Sequence, residues 1–69
     1  MDMAEFECRL TKYRLLKELT QEQLANLVGV RRETIMRLEK AQYNPSLKLA
    51  IDISRVVEVP IEEIFIFSE

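Results

Sequence analysis

The chain has 69 residues and a net charge of −2, with 48% hydrophobic and 32% charged residues, one Gly, two Pro, one Cys and no His. That length suits one domain, residues 1–69, around one core, since a chain this short buries only about 60% of the surface its unfolded form exposes; the scarcity of Gly and Pro favours helix over loop. A lone Cys8 without His excludes a disulfide framework and a His/Cys metal site within the chain, and no nucleophile, phosphate cradle, cofactor motif or small-molecule site stands out, so an enzyme is not expected.

The first helix is expected from about Ala4 to Lys17, because Phe6, Leu10, Tyr13 and Lys17 recur at spacings of three and four with no Gly or Pro between them. Within it Cys8 reads as a small helix residue. Thr20 starts the second helix: its hydroxyl can accept from a helix N-terminal N–H, and Gln23, three residues on, can reach back as in a capping box. Helix 2 spans Gln21 to Val28 and stops at Gly29, which reaches the left-handed conformation without steric cost. Helix 3 runs from Arg31 or Arg32 to Lys40 and buries Ile35 and Leu38. In the loop that follows, Asn44 or Ser46 can cap helix 4, and Pro45 suits a first-turn position that needs no N–H donor. Helix 4 covers about Ser46 to Val57, with Leu49, Ala50, Ile53, Val56 and Val57 on its buried face. After Pro60 a short turn of helix covers Ile61 to Ile64. Phe65-Ile66-Phe67 is apolar enough to be a strand, an arm or a dimer contact. The expected class is all-α, and no apolar run approaches the roughly 20 residues of a membrane span. The acidic start lacks the pattern of a secretion signal, so a cytoplasmic protein with no membrane partner is expected.

The net charge hides an uneven distribution. Nine of the ten basic residues lie between Arg9 and Lys48 beside only four acidic ones, a net +5, while the first seven residues carry −3 and Leu49 to Glu69 carry −4. Such polarity suits a protein that offers one side to a polyanion. Within the basic segment, Leu24, Ala25, Val28, Gly29, Val30, Ile35 and Leu38 form a set with a mechanical reason. Ala25 lets helix 3 cross close over helix 2, Gly29 turns the chain, and Val30 and Ile35 plug the angle between the helices. Two helices joined by so short a turn make a helix-turn-helix, whose second helix enters the major groove of DNA.

The segments Leu19-Thr20-Gln21-Glu22-Gln23-Leu24-Ala25 and Gly29-Val30-Arg31-Arg32-Glu33-Thr34-Ile35 resemble the Cro and lambda-repressor-like family, also called the xenobiotic-response-element family. The likeness extends through Leu38-Glu39, Tyr43-Asn44-Pro45-Ser46-Leu47 and Val59-Pro60-Ile61-Glu62-Glu63-Ile64-Phe65, about Cys8 to Phe65 in all. The resemblance implies a five-helix fold with the helix-turn-helix at helices 2 and 3, a homodimer on a palindromic operator, and regulation of transcription, usually repression. It puts the base-reading positions on Arg32, Glu33 and Arg37. Arginine reads guanine through O6 and N7, and glutamate can accept from cytosine N4, so a site with G·C character is expected. Gln21 matches a phosphate-clamping glutamine, with Arg31 and Asn44 as further phosphate contacts. Arg14 and Glu39 match a pair that braces helix 1 against helix 3.

The chain departs from the family pattern in three places. Arg31 replaces a Ser or Thr cap, Lys40-Ala41 replaces Asn-Gly where a residue at positive φ would strain a β-carbon, and Glu18 replaces Gly or Asn. Dimer candidates are Ile61, Ile64, Phe65, Ile66 and Phe67, with Ile61, Ile64 and Phe65 equally able to finish the monomer core; the contact set drawn from them is Ile64, Ile66 and Phe67. The rival function is an antitoxin-like or adaptor module that uses the same scaffold to hold a protein partner.

Overall fold

The computed structural model describes residues 6–67, in the order β1 (Phe6–Cys8), α1 (Leu10–Leu16), α2 (Gln21–Val28), α3 (Arg32–Glu39), α4 (Leu47–Val57), α5 (Ile61–Ile64) and β2 (Phe65–Phe67). Five helices are present, but the all-α expectation needs correction, because β1 and β2 form a two-stranded antiparallel sheet. Phe6 faces Phe67, Glu7 faces Ile66 and Cys8 faces Phe65. The expected helix from Ala4 is therefore wrong over Phe6–Cys8, and Ala4 itself lies outside the described residues. Phe6, Glu7 and Cys8 are buried, exposed and half-buried in turn, the period-two pattern of a strand with one covered face. Three residues are too few to separate that alternation from a helical stripe in sequence. The partner strand decides it, and the Arg9 N–H donates to the Ile64 carbonyl at 2.8 Å where the sheet gives way to α1. Phe6 meets Phe65 edge to face at 5.7 Å between ring centroids and lies at 5.4 Å from Phe67, arrangements that add to area burial. Burial pushes the Cys8 thiol up, which keeps it protonated and weakly nucleophilic.

The helices follow their local signals. Thr20 caps α2 in a full capping box. Ser46, not Asn44, caps α4, its Oγ accepting from the Leu49 N–H at 3.1 Å. Pro45 therefore stands before the cap, not inside the first turn. Leu10, Leu24, Ile35, Leu38, Ile53 and Ile64 are fully buried and draw α1 to α5 onto one core. Ile64 is thereby corrected out of the dimer-contact set, since a side chain with 0% exposure cannot meet a partner. Ile66 is half-buried, and Phe67 is 65% exposed. Among the described residues, no helix is long and apolar enough to cross a membrane.

Each of the first four helices ends on a left-handed residue, and only one of the four is glycine. Glu18 (φ 58°), Gly29 (φ 76°), Ala41 (φ 56°) and Glu58 (φ 61°) follow α1, α2, α3 and α4. This conformation lets the turn reverse and satisfy the last helical carbonyls, at a cost of about 1–2 kcal/mol for a residue with a β-carbon. Lys17 donates to the Glu58 carboxylate, tying the end of α1 to the end of α4. That hydrogen bond, aided by the ammonium charge, holds the exposed Glu58 carboxyl below its usual range.

Ala41 makes the strain measurable. Ala41→Gly removes the β-carbon at a positive φ and should stabilise the fold by about 0.5–1 kcal/mol after the entropy cost of glycine. Thermal unfolding checks it: a midpoint at or below that of the parent protein would count against the strain.

Candidate nucleic-acid interface

The N-terminus of α2 is built by the capping box. Thr20 Oγ1 accepts from the Gln23 N–H at 3.0 Å, and Gln23 Oε1 accepts from the Thr20 N–H at 2.8 Å. Gln21 is the first residue of the helix, where backbone N–H groups lack helical partners. Its side-chain amide donates to Glu39 Oε1 at 3.0 Å, a link between α2 and α3 that sequence reasoning did not find. No sequence spacing signals it, since the partners lie eighteen residues apart.

Glu39 also accepts from Arg14. Nε donates to Oε2 at 2.6 Å and Nη2 to Oε1 at 3.4 Å, while Nη1 donates to the Leu19 carbonyl at 2.7 Å. The Arg14 and Glu39 side chains are only 10% and 6% exposed. A charge so far out of water needs its partners, and here the guanidinium fork and the carboxylate supply them to each other. Three helices meet at this point: α1 through Arg14, α2 through Gln21 and α3 through Glu39.

Arg31 precedes α3 in extended conformation and gives no side-chain cap, so the departure from Ser or Thr leaves that helix start uncapped by its own side chain. Ile35 and Leu38 point into the core, and Arg32, Glu33 and Arg37 are exposed. Four of the described cations are held by carboxylates. Arg9, Arg14, Lys17 and Lys48 pair with Glu7, Glu39, Glu58 and Asp52. Among the described residues, Arg31, Arg32 and Arg37 take part in no ion pair, although Glu33 is close in sequence, and the same holds for Lys12, Lys40 and Arg55. Beside α3 an open cleft is lined by Arg31, Glu33, Thr34, Arg37 and Tyr43. Asn44 is exposed in the adjoining loop and interacts within the protein. Sequence reasoning did not single out Thr34 or Tyr43, although the three-residue spacing of Arg31, Thr34 and Arg37 marks one flank of α3.

A helix-turn-helix family model matches residues 10–64, from the first residue of α1 to the last of α5. The chain belongs to this family of Cro and lambda-repressor-like transcriptional regulators. An uncharacterised HTH-type transcriptional regulator of Archaeoglobus fulgidus is 59% identical to it over 61 residues, covering 88% of this chain and 86% of that protein. A more distant relative, the cryptic phage CTXphi transcriptional repressor RstR of Vibrio cholerae, is 31% identical over 64 residues, 93% of this chain and 58% of its own length. Among solved structures, the restriction-modification controller protein C.AhdI of Aeromonas hydrophila superposes with a TM-score of 0.72 at 33% identity, over 80% of this chain and 83% of that one. The family match spans all five helices and stops short of both strands.

Glu39→Ala would leave the Arg14 guanidinium buried without its carboxylate and the Gln21 amide without its acceptor. The expected loss is about 3 kcal/mol of folding stability, since breaking one side of a buried pair costs about that much. Calorimetry tests this, and a melting temperature equal to that of the parent protein would show that the pair braces nothing.

Proposed function

We propose that the protein represses transcription as a homodimer on a palindromic double-stranded DNA operator, with residues 1–69 working as one DNA-binding unit. The observation that carries this reading is that Arg32, Glu33 and Arg37 stand exposed on α3, the outward helix of the matched helix-turn-helix frame, with both arginines outside any ion pair among the described residues. In this reading α2 and α3 are the helix-turn-helix and α3 lies in the major groove. Arg32 and Arg37 donate to guanine O6 and N7, and Glu33 accepts from cytosine N4. Gln21 spends one N–H on Glu39 and keeps its second for a phosphate oxygen, beside the unpaired N–H groups that start α2. Arg31 and Asn44 contact further phosphates. The relative from Vibrio cholerae, a transcriptional repressor, supports repression as the outcome.

One helix-turn-helix reads few bases, so two copies about one helical turn apart, roughly 34 Å, supply the contacts that specificity needs. The sheet supports Ile66 and Phe67 as the dimer contact, because Phe67 holds a large apolar ring in solvent at its end.

Two measurements test the proposal. Operator sequences are first selected from a random DNA pool, and affinity is then followed against salt. Log affinity should fall by about 0.9 per log unit of salt for each phosphate neutralised. Arg32→Ala should lose about 1–3 kcal/mol on the selected site and less on random DNA. Absence of binding at low salt would favour the protein-interaction module instead. Separately, sedimentation at micromolar concentration should give a dimer that Phe67→Ser dissociates. A species that stays monomeric on its operator would defeat the dimer.

A further inference from the structure

The cleft beside α3 contains two groups that the base-reading and phosphate-contacting sets do not use. Tyr43 is 38% exposed, and among the described residues its phenol has no hydrogen-bond partner. Thr34 is half-buried on the same wall. The loop is held there by its backbone, because the Gln42 N–H donates to the Arg37 carbonyl at 2.8 Å and the Ala41 N–H to the Leu38 carbonyl at 3.0 Å. Tyr43 is thus delivered to the flank of α3 by a turn whose left-handed residue is Ala41. The result is a hollow with two guanidinium groups, a phenol and a hydroxyl, against one carboxylate from Glu33.

We propose that this cleft seats one backbone phosphate of DNA, with the Tyr43 hydroxyl donating to a phosphate oxygen. The inference rests on the reading that α3 occupies the major groove. An α-helix with its side chains is about 10–12 Å across, and the major groove is about 12 Å wide, so the flank of the helix meets the sugar-phosphate wall while its crest meets base edges. All five residues line the one cleft, and in this seating Glu33 and Arg37 serve the bases while Arg31, Thr34 and Tyr43 meet the wall. Donors predominate over acceptors there, with a net charge of +1 from Arg31, Arg37 and Glu33. A phosphate oxygen accepts from a neutral phenol as well as from a guanidinium, and a phenol fixed by its loop positions the phosphate without the long-range pull of a charge. Tyr43 is therefore a positioning residue: it sets how deeply and at what register α3 sits, and it carries no base preference.

Tyr43→Phe removes one oxygen from an exposed side chain and should leave the melting temperature unchanged. On the selected operator it should weaken binding about tenfold, the scale of one hydrogen bond to a charged group. The loss should be similar on random DNA, with the salt slope unchanged, whereas Arg31→Gln should reduce that slope by about one. Methylphosphonate substitution, one phosphate at a time, supplies the decisive arm. The protein should be sensitive at a position beside α3, and the Tyr43→Phe variant should lose that sensitivity. Equal affinity and an identical methylphosphonate pattern for the two proteins would overturn the seat. So would a changed base preference in Tyr43→Phe, which would make Tyr43 a base contact. Inorganic phosphate, titrated without DNA, separates the sources: saturation at Tyr43 with no methylphosphonate effect would make the cleft a free-anion site and overturn the DNA assignment. If Arg32→Ala still relaxes specificity while Tyr43→Phe changes nothing, the seat fails and the DNA-binding reading stands. If the protein itself binds no DNA, both fall.

Discussion

The Glu39 carboxylate is the constraint on which the presentation of α3 depends. One oxygen takes Arg14 Nε, the other takes Gln21 Nε2 and the second arm of the guanidinium, and the third arm of Arg14 closes on the Leu19 carbonyl. The Leu19 N–H in turn donates to the Arg14 carbonyl at 3.2 Å, so backbone and side chain of one residue clamp the α1–α2 connection together. An apolar contact of the same size would tolerate sliding of one helix over another, because dispersion and burial have no direction. A bidentate charged pair does not. The desolvation of both charges consumes most of the Coulomb energy, and what remains is geometry. That geometry aims the crest of α3.

An uneven distribution lets a chain of net charge −2 carry a basic segment, Arg9 to Lys48 at net +5. Arg9, Arg14, Lys17 and Lys48 are held by carboxylates near them in space, and only Arg14 gives up its exposure to do so. Acidic residues outside these pairs include Glu62 and Glu63, in the first turn of α5, where carboxylates favour the helix dipole. Among the described residues Arg32 and Arg37 of α3 stay exposed and outside these pairs, as do Lys12, Lys40 and Arg55. The field near a surface follows the local distribution more than the total, so an acidic protein can draw in a polyanion along one face.

Helix ends are the second place where the fold commits energy to shape. Four left-handed residues turn the chain after α1, α2, α3 and α4, and three of them carry β-carbons. Their tolerance comes from what the turns deliver. Glu58 reaches Lys17 across the molecule, and the turn at Ala41 brings Tyr43 back along α3. The sheet then joins the two ends of the described chain, with Phe6 packed between Phe65 and Phe67.

The sequence by itself determined the elements whose signals are local. The capping box of Thr20 and Gln23, the stop at Gly29 and the inward Leu24, Ala25, Ile35 and Leu38 specify α2, its turn and α3 within twenty residues, because caps and helical periodicity act over one or two turns. The exposed Arg32, Glu33 and Arg37 were legible for the same reason: residues opposite the buried stripe must face out. Only the tertiary structure decided the pairing of Phe6–Cys8 with Phe65–Phe67, the burial of Ile64 beside the exposure of Phe67, the choice of Ser46 over Asn44 as cap, and the tie from Gln21 to Glu39. A three-residue strand has no periodicity of its own to read, and a hydrogen bond between helices depends on where packing puts them. Those features exist only once the core has brought distant parts of the chain together.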